Sequence, residues 1–323
     1  VFGRIRVDAG SDGYSPCELH DLYTVFYTSL YRASLYPRQL TEISADGELW
    51  HWSPYVTSAQ QRVQKGHLST DSGFWDAWNT VYPLLSIANR PQLSVMLQGW
   101  LQSYVEGGWL PKWASPGYRS SMIGTMADVS IADAIVKDIP GFNKTLAYEA
   151  IRKDAFEIPP VGVDGIGRVC LEAYLKYGYV PRGANMTTGG ECYDVISRSL
   201  NYLQSDYAIA EAAKVLNKAS DAELLAQRAQ NYRKIFDLET GFFRAKEIQN
   251  ETFIVPFDQY GWGFDYTEGG PWQYRYYVPY DIEGLRALYS KAYPAYQRAA
   301  DAVDATDDAL CRKLKETQTM EHS

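Results

Sequence analysis

The sequence predicts an all-α fold in which paired helices ring a central axis as a toroid. Three observations carry that expectation. Apolar residues recur at three- and four-residue spacing along most of the chain. The breaks between these stretches are short, which favours antiparallel helical hairpins. Gly, Pro and Trp gather in the breaks, as in Trp109-Leu110-Pro111-Lys112-Trp113, Gly178-Tyr179-Val180-Pro181 and Gly261-Trp262-Gly263-Phe264. There is no βαβ alternation, no glycine-rich phosphate loop and no strict repeat.

The first helix is expected from His20 to Tyr36, where Leu22, Val25, Phe26, Ser29, Leu30 and Ala33 share one face. A second runs from Gly73 to Ile87, behind possible caps at Thr70, Asp71 and Ser72. Leu93 to Val105 gives a third, stopped by Gly107-Gly108; Ile123 to Val136 a fourth; Lys144 to Phe156 a fifth. Gly165 to Tyr177 gives a sixth, ended by Gly178 and Pro181. Tyr193 to Leu216 and Asp221 to Phe236 are the longest, with a short polar turn between them that predicts a hairpin. Asp281 to Tyr289 and Pro294 to Leu314 close the series.

With 323 residues the chain can bury a large core, and its 22% charged residues carry a net charge of -8. No basic cluster and no apolar run of ~20 residues is present, so neither nucleic acid nor a membrane is expected as a partner. The chain starts at Val1 without a charged-then-apolar leader and reads as a mature product or a fragment. Cys17, Cys170, Cys192 and Cys311 are too scattered for a zinc site, and their even number permits disulfides. His20, His51, His67 and His322 lack metal-ligand spacing, so they read as surface or packing residues. A nucleophile elbow is missing, so no Ser-His-Asp triad is supported. Asn143-Lys144-Thr145, Asn185-Met186-Thr187 and Asn250-Glu251-Thr252 are N-glycosylation sequons. They lean toward a secreted or endomembrane-lumen protein.

The run Tyr266-Thr267-Glu268-Gly269-Gly270-Pro271-Trp272-Gln273-Tyr274 carries the most chemistry. It sets one carboxylate between glycines that permit tight turns and aromatics that offer flat apolar faces. A pyranose stacks on such a face, and a carboxyl held against apolar surface has its pKa raised and can protonate a glycosidic oxygen. The 14% aromatic content suits sugar stacking as well. The alternative on local chemistry is an aromatic loop packed on a core, with Glu268 capping a helix at Gly269 or beyond.

Other words extend the pattern. Phe26-Tyr27-Thr28-Ser29-Leu30-Tyr31 is followed by Ser72-Gly73-Phe74-Trp75-Asp76-Ala77-Trp78 and Tyr82-Pro83-Leu84-Leu85. Gly108-Trp109-Leu110-Pro111-Lys112-Trp113, Met122-Ile123-Gly124 and Ile131-Ala132-Asp133-Ala134 come next. Gly178-Tyr179-Val180-Pro181, Ser197-Arg198-Ser199-Leu200 and Gly241-Phe242-Phe243-Arg244-Ala245-Lys246 continue the series. Pro256-Phe257-Asp258, the Glu268 run and Val278-Pro279-Tyr280-Asp281-Ile282-Glu283-Gly284-Leu285 complete it. In order and spacing these words resemble glycoside hydrolase family 92, the calcium-dependent exo-α-mannosidases.

The resemblance implies the (α/α)6 toroid of that family without its amino-terminal β-sandwich, incomplete at the carboxy-terminal end. Residues 1–323 would form a partial catalytic domain and 290–323 a divergent tail. It implies inverting hydrolysis of terminal α-linked mannose on a mannose-containing glycan, with calcium as cofactor. Glu268 matches the general acid. Trp75 and Asp76 match the segment that holds the terminal sugar, and Trp272 and Gln273 follow the acid into the same pocket.

Departures accompany the match. After Leu288 the chain enters Lys291-Ala292-Tyr293-Pro294 rather than the family's Asn-Glu-Pro and acidic stretches, which supply calcium ligands and the general base. No metal-binding residue is therefore assigned. Asp304, Asp307 and Asp308 in the tail read as a solvated acidic face. Met126 stands where the family has His, Asn79 where it has Arg and Asn201 where it has Glu. Without a base the chain alone is expected to hydrolyse α-mannosides negligibly. Two alternatives follow: a catalytically silent carbohydrate-binding remnant, and another six-hairpin hydrolase of glucoamylase type.

Overall fold

The computed structural model describes residues 5–8, 13–58 and 61–292. The helix expected from Pro294 to Leu314, the carboxylates Asp304, Asp307 and Asp308, Cys311 and His322 lie outside the described residues. So does most of the tail assigned to 290–323.

Helix α1 (Pro16–Ala33) begins four residues before the expected His20 because Ser15 and Glu18 form a capping box. The Ser15 amide donates to the Glu18 carboxylate at 2.7 Å and the Glu18 amide donates to Ser15 Oγ at 3.4 Å. After α1 the chain departs from the all-α expectation. Short antiparallel pairs form between β1 (Arg38–Gln39) and β5 (Ser69–Thr70) and among β2 (Glu42–Ile43), β3 (Leu49–Trp52) and β4 (Val63–Lys65), in the order β2-β3-β4. Trp50 faces Lys65 and Trp52 faces Val63 in that register. Strands of two to four residues are too short to show period-two alternation in the sequence, so a search for helical period passes over them.

The expected helix from Gly73 to Ile87 is two helices, α2 (Phe74–Ala77) and α3 (Val81–Ala88). Its expected caps serve elsewhere. Ser72 exchanges backbone hydrogen bonds with Ala114 and accepts the Trp100 indole proton at 3.1 Å, while Asp71 pairs with Arg38. Helix α4 (Arg90–Gly107) ends at Gly108, whose φ of 80° is the left-handed stop that glycine adopts without strain. Helices α5 (Ala127–Val136), α6 (Lys144–Phe156) and α7 (Leu171–Tyr177) follow. The expected start of α7 at Gly165 fails because Gly165, Gly167 and Cys170 all have positive φ.

Helix α8 (Val195–Val215) is the hub. It packs against α5, α6, α9 (Ala219–Ala229) and α10 (Tyr232–Ile235). Its first half, including Ile196, Leu200 and Leu203, belongs to one apolar cluster, and its second half, including Ile209 and Ala213, to the other. Asp206 of α8 meets Arg228 of α9 at 2.5 Å, two positions equidistant from the Asn217 turn, which sets the pair as an antiparallel hairpin. Arg168 joins Asp206 at 2.6 Å and Asp128 of α5 at 3.4 Å, all three fully buried. Cys170 and Cys192 form a disulfide across the segments that lead into α7 and α8, and Cys17 is free and exposed. The hairpin β6 (Phe236–Asp237) and β7 (Phe242–Phe243), the single turn α11 (Pro271–Tyr274) and α12 (Ile282–Ala292) complete the described residues. No helix among them is long and apolar enough to cross a membrane.

Candidate functional site

The backbone that carries Glu268 is fastened to the first turn of α8. The Asp265 carbonyl accepts from the amides of Ile196 and Ser197 at 3.0 and 3.3 Å, satisfying helix donors that would otherwise be open. Arg182 grips the Asp265 carboxylate at 2.7 and 3.1 Å, although burial still leaves that carboxyl with a raised pKa. The Thr267 amide donates to Ser197 Oγ at 2.8 Å, and the Tyr274 hydroxyl donates to the Thr267 carbonyl at 2.7 Å. Glu268 itself adopts φ 47°, a left-handed conformation that is costly without glycine and persists because the flanking residues are fixed. Its side chain is exposed, not held against apolar surface as the sequence suggested.

Trp75, on α2, arrives from the other end of the sequence. Its indole Nε1 donates to Asn201 Oδ1 at 3.1 Å, and Asn201 Nδ2 donates to the Ser197 carbonyl at 2.9 Å. Gly124 makes room for this contact: a Cβ there would lie 2.7 Å from Asn201 Oδ1. Ser197 and Asn201 are one turn apart on one face of α8, so Trp75 and the Glu268 backbone are tied to adjacent rungs of the same helix. An aromatic row runs alongside, with Trp78 and Tyr277 centroids 6.5 Å apart, Tyr277 and Tyr274 5.7 Å, and Tyr274 and Tyr266 5.8 Å.

Asp76 is exposed and lines a cleft of about 610 Å³ together with Arg32, Tyr36, Arg38, Asp71, Trp113 and Ser115, among others. Gly73, at the head of α2, lets the Trp113 ring lie against the backbone, since a Cβ there would sit 2.8 Å from it. The α2 cap is Gly73 with no side-chain hydrogen bond, and Asp76 lies in the first turn of that helix, where a carboxylate suits the open amide end. Glu268 is not among the residues lining this cleft. Lys112, beside Trp113, is buried; burial first, then the charge of Arg198, lowers its pKa to about 8.

Trp272 is half-buried, edge-on to Phe242 with centroids 5.0 Å apart and stacked toward Tyr260 at 6.4 Å. Gln273 Oε1 accepts the Gly270 amide at 2.9 Å, so it is Gln273 that caps the turn after the acid. Both residues thus shape the Glu268 loop from within. Among the described residues no group of three or more His, Cys, Asp or Glu could hold a metal ion.

Sequence reasoning missed the parts that join the two halves. Ser197 lay within a word quoted for its order alone, and Asn201 registered as a departure. Arg182 and Asp265 gave no signal, because an ion pair between residues so far apart in sequence has no local pattern.

Comparison with known proteins places this arrangement. The chain is similar to the GH92 inverting mannosidase BT2199 of Bacteroides thetaiotaomicron VPI-5482, with 32% identity and a TM-score of 0.78 over 88% of this chain and 36% of that one. It is similar to the GH92 α-mannosidase BT3965 of Bacteroides thetaiotaomicron, with 27% identity and a TM-score of 0.69 over 87% of this chain and 35% of that one. A structure of BT3965 in complex with mannoimidazole matches with 26% identity and a TM-score of 0.67 over 88% of this chain and 39% of that one. The chain therefore spans little more than a third of each of these structures. No curated protein sequence matches it. The family model of the glycosyl hydrolase family 92 catalytic domain matches residues 2–320, and this chain belongs to glycosyl hydrolase family 92.

Proposed function

We propose that the chain supplies the (α/α)6 catalytic part of an enzyme that removes terminal α-linked mannose from glycans with inversion. The observation that carries this reading is the attachment of Trp75 and of the Glu268 backbone to adjacent rungs of α8, in a chain of this family. Glu268 is the general acid: it gives its proton to the glycosidic oxygen as the bond to the anomeric carbon breaks. Inversion also requires a carboxylate about 6.5–9.5 Å away, on the opposite face of the sugar, to activate the attacking water, and no residue of this chain is assigned that part. Trp75 offers its flat face to the ring, Asp76 accepts from sugar hydroxyls in the cleft, and Trp272 and Gln273 hold the loop around the acid. The description of BT2199 as an inverting mannosidase and the mannoimidazole complex of BT3965 support mannose as the terminal sugar. The Cys170–Cys192 disulfide and three exposed sequon asparagines, Asn143, Asn185 and Asn250, support a secreted or endomembrane-lumen location.

The test is turnover of aryl and disaccharide α-mannosides, against α-glucosides as controls, with calcium and with a chelator. For want of a base the chain alone should turn over little, and what turnover it has should fall by about 10²–10⁴-fold in Glu268→Gln, the span of general acid assistance. Unchanged turnover in that variant would overturn the assignment. A second reading, a carbohydrate-binding remnant, draws on the absence of Glu268 from the lining of the Asp76 cleft. Mannoside binding without turnover, unchanged in Glu268→Gln, would select it.

A further inference from the structure

Two hydrogen bonds to one face of α8 connect parts of the candidate site that are remote in sequence. Ser197 Oγ takes the amide proton of Thr267, the residue before Glu268, and Asn201 Oδ1 takes the indole proton of Trp75. Both side chains are wholly buried, and Asn201 Nδ2 donates to the Ser197 backbone carbonyl, which fixes the amide without involving the Ser197 hydroxyl. The helix that carries them is packed on four other helices, which hold its backbone in place when either side chain is changed. The Tyr274 hydroxyl on the Thr267 carbonyl and the Asp265 carbonyl on the helix amides leave the acid loop little freedom except through Ser197. Burial with satisfied partners is what gives a side chain a single orientation.

We propose that Ser197 and Asn201 are positioning residues that set the distance and angle between the Glu268 carboxyl and the Trp75 indole. Ser197 governs the acid and Asn201 the ring that receives the sugar. This rests on the function proposed above, and it divides the two effects between two residues four positions apart. Neither side chain touches substrate: each acts through the group it holds. Misplacing a catalytic group by about 1 Å costs on the order of 10²-fold in rate, whereas a reoriented stacking ring weakens binding.

The first measurement needs no turnover. Hydrogen exchange on the full chain should show the Thr267 amide losing protection in Ser197→Ala and the Trp75 indole proton losing it in Asn201→Leu, each without the other's effect. If both protons keep wild-type protection in folded variants, the proposal fails. The second measurement is steady-state hydrolysis of an aryl α-mannoside. Ser197→Ala should lower kcat by about 10- to 100-fold with KM within twofold. Asn201→Leu should raise KM about tenfold with kcat within threefold, and Asn201→Asp, which keeps the acceptor oxygen, should restore KM. Burial favours the protonated form of the new carboxyl, which can still donate to the Ser197 carbonyl as Asn201 Nδ2 does. Parallel changes of kcat and KM in both variants would mark a merely structural role and overturn the division. A wild-type chain that binds but does not turn over mannosides would sink the proposed hydrolysis while leaving the exchange result to decide the positioning.

Discussion

Helices α1 and α8 carry the same three-and-four apolar spacing and end in opposite surroundings. Of the 18 residues of α1 only Leu30 is buried, and Leu22, Val25 and Tyr31 are 43%, 66% and 53% exposed. Helix α8 is buried nearly all round, and what it buries includes Ser197, Arg198, Asn201 and Asp206. The difference teaches that periodicity finds a helix without saying which helix organises the molecule. The organising helix is the one whose polar residues are inside, because each of them must find a partner and each partner is a fixed point for another segment.

The largest expected effect tests that statement directly. Asp206 receives Arg168, Arg228 and the Tyr174 hydroxyl, at 2.6, 2.5 and 2.6 Å. Burial works against its charge, but the two guanidinium groups outweigh it and hold its pKa below the ordinary value. Asp206→Ala leaves Arg168 with only the longer contacts to Asp128 and Thr125 Oγ1, at 3.4 and 3.3 Å, and should cost about 3–5 kcal/mol of unfolding free energy, read from denaturant titration. A loss under about 1 kcal/mol would mean that the buried network does not hold α8 in place.

A smaller effect compares the two helices on equal chemistry. Ile209 of α8 is fully buried, and Ile209→Ala should cost about 2–5 kcal/mol through lost contacts and a residual cavity. Val25 of α1 sits at the same kind of apolar position in the pattern, yet Val25→Ala should fall within about 0.5 kcal/mol of wild type. Equal losses at the two sites would break the comparison and show that α1 is covered in solution.

What the sequence revealed follows the range of the forces involved. Helix α6 was legible to the residue, Lys144 to Phe156, because its determinants are local: Asn143 Oδ1 accepts from the amides of Thr145 and Leu146, both at 3.1 Å. That Ser72 would not cap a helix was not legible, because it is drawn away by Ala114 and Trp100, whose sequence separation hides the contact. The site divides the same way. The chemical types were readable at Glu268, Trp75 and Asp76, since acid, ring and hydroxyl acceptor are properties of side chains. How Glu268 and Trp75 are related was not readable, because it is made by Ser197 and Asn201 on a third segment. The role of Trp272 and Gln273 also needed coordinates: a ring wedged by Phe242 and an amide capping its own turn look, in sequence, like a pocket wall.

An effect that depends on pH lies where the strands meet the helical body. His51 on β3 is buried, its Nε2 2.8 Å from Glu106 Oε1 on α4 and its Nδ1 2.9 Å from the Gly66 carbonyl. Both ring nitrogens therefore face acceptors, and the ring is satisfied as imidazolium. Burial disfavours that charge, but the bonds to Glu106 and Gly66 outweigh it and raise the His51 pKa above 6.5. Glu106 shows the converse: burial disfavours its charge, and His51 with Gln102 and Ser53 outweighs burial, lowering its pKa below 4.5. The signs follow by linkage. The His51 contribution is full below about pH 6.5 and is lost as pH rises through the higher folded value. The Glu106 contribution is full above about pH 4.5 and is lost as pH falls through the lower one. The pair should be strongest between about pH 4.5 and 6.5 and should fade on the alkaline side. Asp128 and Asp154, whose pKa values burial raises, add a background of the same sign as His51, and His67, lowered by burial and by His51, adds the opposite. His51→Gln removes the titrating ring and leaves that background nearly intact, so the difference between wild type and variant isolates the pair. That difference in unfolding free energy should be about 1–3 kcal/mol near pH 5.5 and should shrink by pH 8.5. A difference that stays constant over this range would show that His51 titrates alike in the folded and unfolded chain, and that the contact with Glu106 does not favour its charged form.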